Sequence, residues 1–453
     1  MHKSNPEYDE IPATKHVINI PDTGQKRVVV IGGGFAGLEL IKKLRGNDGF
    51  QVVLIDKNNY FTFQPLLYQV ATAGLEPNSV AYPFRRLFRT DPNVFFRMAA
   101  VKRIAPGTNR IFTSLGTLTF DYLVIASGST PNYYGLPSEE LLPLKSLNGA
   151  IQLKNIILNT FEMALETSSD QKKGTYLNIV VAGGGPTGVE LAGAFGEMKK
   201  FVLPRDYPQI DFDRLRIYLL EGLDRLLPTM SEVASEKAKK YLEQLGVTVR
   251  LNKMVLGYEK DRVQLEDDYI TTKNLIWTAG VQASHFAGLD DAVTHKGNRL
   301  VVDPYSRLVG YKNIFAIGDV AAMLTPETPE GHPMLAPVAM QQGKLLARNL
   351  LRLERGKNLQ KFDYRDKGTM ATIGRNRAVV DAPGFKLQGT LAWFVWMFVH
   401  LLSLVGFRNK LVTLVNWSYN YFTYDRALRL ITSKRKTSTQ QEKEEYTQKE
   451  AIN

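Results

Sequence analysis

Two glycine triplets spaced Gly-x-Gly-x-x-Gly are where this chain is best equipped for chemistry. In RVVVIGGGFAGLELIKKL, a β-branched strand ending at Ile31 runs through Gly32, Gly34 and Gly37 into an amphipathic helical pattern. Gly32 allows the tight turn, Gly34 admits a pyrophosphate against the backbone, and Gly37 lets helix and strand pack closely, with phosphates at the helix N-terminus. A second strand, QVVLID, ends at Asp56, nineteen residues beyond Gly37, where a carboxylate can accept hydrogen bonds from a ribose. The pattern recurs in NIVVAGGGPTGVELAGAF, with Gly183, Gly185 and Gly188, and RLRIYLLEG ends a later strand at Glu221. Two such sites imply two dinucleotides. A glutamate at the second bonds a ribose diol and repels a 2'-phosphate, which favours NADH over NADPH, with Arg225 nearby acting against that preference. Glu190, two residues past Gly188, has two readings: a carboxylate in reach of bound nicotinamide, or a helix-start glutamate answering the helix dipole.

Positioning these groups calls for an α/β fold with two Rossmann-like dinucleotide-binding domains. The length of 453 residues, the 44% hydrophobic content and the 36 glycines suit a packed chain of roughly three domains. Cysteine is absent, which excludes disulfides, thiolate metal sites, iron-sulfur clusters and a redox-active dithiol, so redox chemistry must come from a bound organic cofactor. No metal site is expected. The formal charge of +12 suits an anionic membrane surface, nucleic acid or a basic soluble protein. The first 26 residues lack the apolar core of a secretory signal and the Arg-rich makeup of a transit peptide, so the chain is expected on the cytoplasmic side of a bacterium.

In NIFAIGDVAA, Gly318 and Asp319 follow a short apolar strand. In two-dinucleotide flavoproteins such a Gly-Asp places an aspartate on the ribityl chain of FAD. The expected order is therefore a polar extension (1–24), an FAD domain begun at 25–149, an NAD domain inserted at 150–285, and the FAD domain completed at 286–345. A C-terminal region for membrane anchoring and dimerisation (346–436) and a disordered tail (437–453) follow. FDYLVIASGS and TTKNLIWTAGV, the latter containing Gly280, occupy the crossings between domains; each taken singly also reads as a buried strand with a glycine turn.

From these motifs the sequence resembles a type II NADH dehydrogenase, the single-subunit, non-pumping NADH:quinone oxidoreductase. NYFTFQPLLYQVATAGLEP, GGGPTGVELAG, APVAMQQG, IGRNRAVVD and the aromatic stretch from Trp393 carry the likeness, over about residues 25 to 432. One departure stands out: the family's quinone-side motif often reads Ala-Gln-x-x-x-Gln, whereas Pro337 follows Ala336 here. The resemblance implies FAD contacts from Gly32, Gly33, Gly34, Phe35, Ala36 and Gly37, from Asp56, Lys57, Val101, Gly318 and Asp319, and from Ala336, Pro337, Val338, Ala339, Met340 and Gln341 beside the ring. It implies NADH contacts from Gly183, Gly185, Pro186, Thr187, Gly188, Glu221 and Gly280. Glu190 becomes a catalytic carboxylate and Lys386 a catalytic cation near the flavin, with Gln341 and Gln342 facing a quinone, either menaquinone or ubiquinone. Both glutamines also read as solvent-facing residues of a helix start, and Lys386 as a lipid-facing anchor. A homodimer is implied by the family alone.

The acceptor explains LAWFVWMFVHLLSLVGF, the uncharged run at 391–407. Seventeen residues rise about 25 Å as a helix, short of a hydrocarbon core of about 30 Å. The following segment places Thr413, Asn416, Asn420 and Thr423 in a polar stripe opposite Leu411, Leu414, Val415 and Tyr419. With Trp393, Trp396 and Trp417, and with Arg426, Arg429, Lys434, Arg435 and Lys436, this resembles an amphipathic monotopic anchor on an anionic lipid surface, here the cytoplasmic face of the bacterial inner membrane. A spanning helix and a buried dimer interface are the competing readings of the run. Nucleic-acid binding lacks a reading motif. A ferredoxin-type protein acceptor, or a nonenzymatic NADH-sensing flavoprotein, are the rival functions.

Overall fold

A computed structural model of the chain describes residues 16–290, 293–424 and 429–432. The chain divides into two compact units, each assembled from three separate stretches of sequence. The first takes residues up to Phe61, Tyr82–Thr130 and Val281–Asp366; the second takes Thr62–Ala81, Pro131–Gly280 and Lys367 onward.

The first unit is built on a five-stranded parallel sheet in the order Ile314–Ala316, Tyr122–Ile125, Lys26–Ile31, Phe50–Asp56, Val94–Met98. Val28, Val29 and Val30 are wholly buried, as are Val52, Val53 and Leu54 beside them, the apolar run expected of strands covered on both faces. Helix Phe35–Leu44 buries Leu38, Leu40, Ile41 and Leu44. Against it lies helix Ala336–Glu354, and the two backbones come so close that a Cβ on Gly343 would stand 2.3 Å from the Ala36 carbonyl oxygen.

The second unit repeats the plan, with parallel strands in the order Leu142–Pro143, Asn274–Trp277, Ile179–Ala182, Ile217–Leu220, Val247–Arg250. Helix Pro186–Glu197 follows the Ile179–Ala182 strand, its start favoured by a proline in the first turn. A three-stranded antiparallel sheet, Thr369–Thr372, Ala378–Ala382 and Phe385–Gln388, leads into two helices, Gly389–Ser403 and Phe407–Thr423.

The apolar run at 391–407 is thus cut in two by a turn at Gly406. The first helix has 15 residues, about 22 Å of rise, and no helix among the described residues is long and apolar enough to cross a membrane. This removes the spanning-helix reading. Leu391, Phe394, Phe398 and Leu402 face outward from the first helix, and Phe407, Leu411, Leu414, Val415, Tyr419 and Phe422 from the second, with Phe407 and Phe422 about 80% exposed (81% and 80%).

The polar stripe of the second helix turns inward. Asn409 and Thr413 are buried; Asn409 Nδ2 donates to the Ala81 carbonyl at 3.0 Å, and Asn420 Nδ2 to that of Gly74 at 3.2 Å. The tryptophans correct the anchor reading as well. Trp396 and Trp417 are buried and Trp393 is half-buried, because each buried indole N–H finds an acceptor inside the unit. Arg429 is ion-paired with Asp206, which withdraws it from the basic face. Arg426, Lys434, Arg435 and Lys436 lie outside the described residues.

A Cβ on Gly188 would stand 1.9 Å from the Gly183 carbonyl oxygen, whereas one on Gly185 would meet nothing within 4 Å. Gly188→Ala is therefore expected to cost about 2 kcal/mol or more, and Gly185→Ala under about 1 kcal/mol, in urea denaturation of the two variants.

Candidate active site

The two fingerprints close in the same way. In the first unit, Gly32 N–H donates to the Ile55 carbonyl at 2.9 Å, tying the glycine turn to the neighbouring strand end. Asp56 then grips the loop: Oδ2 accepts from Gly33 N–H at 2.7 Å and Oδ1 from Asn58 N–H at 2.8 Å. In the second unit, Gly183 N–H donates to Leu220 at 2.8 Å, while Glu221 accepts from Gly184 N–H at 2.6 Å and from Leu223 N–H at 2.9 Å. Each acid is aimed by two backbone donors and keeps lone pairs for a ribose diol. Burial raises the Asp56 carboxyl against the lowering effect of those donors and of Lys57.

A dinucleotide fits the first unit. Its fingerprint helix Phe35–Leu44 begins at Gly34 with no side-chain cap, so its opening N–H groups await an acceptor. Ser127 Oγ is buried without a hydrogen-bond partner, and its Cα lies 3.0 Å from where a Cβ on Gly32 would stand. Gly318 and Asp319 follow the Ile314–Ala316 strand; Ser129 Oγ donates to Asp319 Oδ2 at 2.5 Å. Ala336 to Gln341 form the opening turns of helix Ala336–Glu354, where Pro337 suits a first turn. Val101 opens the strand Val101–Ala105, and Lys57 is exposed beside Asp56.

Both glutamines of the quinone-side motif have partners within the first unit. Gln341 pairs with the Arg365 backbone through both ends of its amide, donating at 2.9 Å and accepting at 3.1 Å. Gln342 is buried, and its Oε1 accepts from Gly318 N–H at 2.7 Å, so it holds the Gly-Asp turn. For Gln341 to meet a ligand, it must exchange Arg365 for it.

In the second unit, Pro186 and Thr187 open the fingerprint helix and Gly280 follows the strand Asn274–Trp277. The Arg225 guanidinium, the group that could welcome a 2'-phosphate, is turned onto the Pro228 carbonyl at 2.6 Å.

The same unit holds a cavity of about 110 Å³. Its walls include Tyr68 and Gln69, Glu190, Ala194 and Glu197 of the fingerprint helix, Thr372 to Arg375 in part, and Trp393, Trp396, Met397, Trp417, Tyr421 and Tyr424 of the terminal helices. Glu190 is buried, 7% exposed, and Oε1 takes both of its donors: Trp396 Nε1 at 3.2 Å and Thr372 N–H at 3.4 Å. Oε2 has no hydrogen bond among the described residues. Burial pushes the carboxyl up to about 8, more than these two donors lower it, so it is predominantly a neutral acid at pH 7. Behind Trp396, the His400 ring stacks at 4.2 Å and its Nδ1 bonds the Trp396 carbonyl at 2.8 Å; burial pushes this imidazole down to about 4. Across the cavity, the Arg375 guanidinium lies 3.4 Å from the centre of the Tyr424 ring and 4.9 Å from that of Tyr421.

Glu190 is therefore at once a residue of the second fingerprint helix and a wall of the cavity. Lys386 is not: it sits exposed on strand Phe385–Gln388, opposite Asp381. Sequence reasoning missed Thr372, Arg375, Gln69 and Glu197. The signals were present in IGRNRAVVD and in LLYQVATAG, but nothing local says that these segments meet the terminal helices.

The pyridine nucleotide-disulphide oxidoreductase family model matches residues 26–343, and the NDH2 C-terminal domain model matches 367–424. The chain is 33% identical over 424 residues to the type II NADH:quinone oxidoreductase Ndh of Mycobacterium tuberculosis, with 90% of each chain covered. It is 28% identical over 451 residues to the mitochondrial internal alternative NAD(P)H-ubiquinone oxidoreductase A1 of Arabidopsis thaliana, covering 90% of this chain and 86% of that one. Among solved structures, NDH2 from Plasmodium falciparum in complex with NADH shares the fold with a TM-score of 0.83 at 19% identity, covering 90% of this chain and all of that one (100%).

The buried acid makes stability depend on pH. Below the ordinary value of 4.5, Glu190 is neutral folded and unfolded; between there and about 8 only the unfolded chain loses the proton, so stability falls; above that both states are ionised and the loss is complete. Glu190→Gln keeps the acceptor without the charge. It is expected to gain on the wild type by a few kcal/mol (order of magnitude) as pH rises through that window, read by urea denaturation at successive pH values.

Proposed function

The chain belongs to the type II NADH:quinone oxidoreductases, within the pyridine nucleotide-disulphide oxidoreductase family, and from that premise we propose how its residues oxidise NADH and reduce a quinone without pumping protons. FAD is the cofactor and NADH the substrate. The observation that carries the reading is the pair of dinucleotide sites in a chain with no cysteine. Without a thiol relay, the acceptor itself has to come to the flavin.

In this reading the first unit holds FAD through Gly32 to Gly37, Asp56, Lys57, Val101, Gly318, Asp319 and Ala336 to Gln341. When bound, FAD supplies the redox chemistry, taking a hydride from NADH and passing two electrons to the quinone. Gly183, Gly185 to Gly188, Glu221 and Gly280 hold NADH. Glu221 receives the adenine ribose, and Arg225, already bonded to Pro228, leaves a 2'-phosphate uncompensated. The aromatic walls of the cavity receive the quinone ring, and Glu190 meets one of its oxygens with a neutral acid in place of a buried charge. Gln342 positions the Gly-Asp turn and Gln341, released from Arg365, faces the quinone; Lys386 is the cation of this reading, exposed on its strand.

The protein is peripheral to a membrane. The outward row from Leu391 to Phe422 supports insertion of the two terminal helices into one leaflet, on the cytoplasmic face of the bacterial inner membrane, with anionic lipid around it. The acceptor there is menaquinone or ubiquinone, and the assembly a homodimer.

Anaerobic stopped flow tests the reaction. Flavin absorbance is expected to bleach with NADH, far more slowly with NADPH, and to recover on adding menadione; bleaching without recovery would overturn quinone as the acceptor. Glu221→Gln is expected to shift kcat/KM toward NADPH by about tenfold, ~1.4 kcal/mol. Phe398→Glu with Phe422→Glu is expected to abolish flotation with phosphatidylglycerol vesicles while menadione reduction stays within about twofold, a ΔΔG‡ under ~0.5 kcal/mol.

A further inference from the structure

The reaction NADH + H⁺ + quinone → NAD⁺ + quinol consumes one proton from solvent in every turnover. Resting on the reading that the cavity receives the quinone, the structure also contains the means to deliver that proton. Glu197 lies seven residues beyond Glu190, two turns along one face of helix Pro186–Glu197, about 10.5 Å away in rise. Both residues line the cavity, with Ala194 between them in sequence.

They are held by one loop. Thr372 N–H donates to Glu190 Oε1 at 3.4 Å, and Arg375 N–H to Glu197 Oε1 at 2.5 Å. Gly193 lets the loop approach, since a Cβ there would stand 2.8 Å from the Ile373 carbonyl oxygen. Gly374 leaves room for the second carboxylate, whose Oε1 lies 2.9 Å from where its Cβ would be. Their surroundings differ: Glu190 is buried, with no hydrogen bond to Oε2 among the described residues, whereas Glu197 is half-buried. The other titratable or charged groups lining the cavity are Tyr68, Arg375, Tyr421 and Tyr424, with His400 behind Trp396, and helix Glu232–Gln244, which carries Lys237, Lys240 and Tyr241, packs on the same helix. A cavity of about 110 Å³ holds three or four waters at about 30 Å³ each, enough to bridge the two carboxyls.

We propose that Glu197 reloads Glu190 with the solvent proton of each turnover, through water that refills the cavity once quinol has left. The Glu190 Oε2–H bond breaks as an O–H bond forms on the quinone oxygen. The other hydrogen of the quinol and both electrons derive from the hydride of NADH. The Glu190 carboxylate then takes a proton passed along the water chain from Glu197, which takes one from solvent. Glu197 acts through Glu190 and is a positioning and relay residue.

The test uses FAD-loaded full-length Glu197→Gln, whose amide oxygen can still accept from Arg375 N–H, with Glu197→Asp and Ala194→Leu as companions and menadione as acceptor. At pH 6 flavin reduction by NADH and the first reoxidation by menadione are expected to match wild type, because Glu190 starts protonated there. Steady-state kcat is expected to fall about tenfold, more at pH 9 than at pH 6, and to recover partly in imidazole buffer or in Glu197→Asp. An unchanged kcat across that range, or a first reoxidation slowed as much as the steady state, overturns the relay. Ala194→Leu narrows the cavity and is expected to slow reoxidation itself; if it reduces menadione at the wild-type rate, the quinone is reduced elsewhere and the underlying reading fails with it.

Discussion

A carboxyl buried without a countercharge fixes how three elements of the second unit pack. Removing Glu190 from water would cost many kcal/mol if it were ionised, so it is held predominantly neutral and given donors. One donor is the indole of Trp396, which fixes the rotation of helix Gly389–Ser403: with Trp396 and Ala392 turned inward, Leu391, Phe394, Phe398 and Leu402 must face out. The other is the Thr372 backbone, which sets the antiparallel sheet against the fingerprint helix at a distance that only Gly193 permits. The acid, the cavity and the outward apolar row therefore stand or fall together.

The fingerprints show how much a local code can specify. Each needs only a strand, three glycines, a helix and an acid at the next strand end, all within about 40 residues, and the chain uses this solution twice with nearly equal hydrogen-bond lengths. Asp56, Glu221 and both glycine triplets were readable because every partner is near in sequence. Gln342 was not. Its type and helical position suggest a solvent or ligand donor, and only the packed structure shows its oxygen committed to Gly318, 24 residues upstream.

The terminal helices mark the limit of pattern reading. Their amphipathicity was evident, but the pattern does not say which environment each face meets. A polar stripe on a soluble protein normally faces water; here Asn409 and Asn420 spend their amides on Ala81 and Gly74, and Trp417 bonds Gln69, all more than 300 residues away in sequence. The same distance hid the cavity, whose walls come from four separated stretches. The tryptophans read as interfacial because of their neighbours, yet two of them close the inner wall.

That inversion has a physical logic for an enzyme whose two substrates live in different solvents. With the polar face of helix Phe407–Thr423 turned inward, the fold uses hydrogen bonds as its internal cement and leaves the apolar side chains on the outer face, as the proposed membrane contact needs. The cavity then has an aromatic lining suited to a flat ring and, in Glu190, a buried neutral acid. In the proposed reading, a charge in place of the neutral acid beside the quinone ring would demand a counterion or water and so oppose the entry of an apolar substrate. A carboxyl whose proton is held until needed avoids that conflict, and in the proposed relay it gives the second carboxyl on the same helix face its part in proton supply.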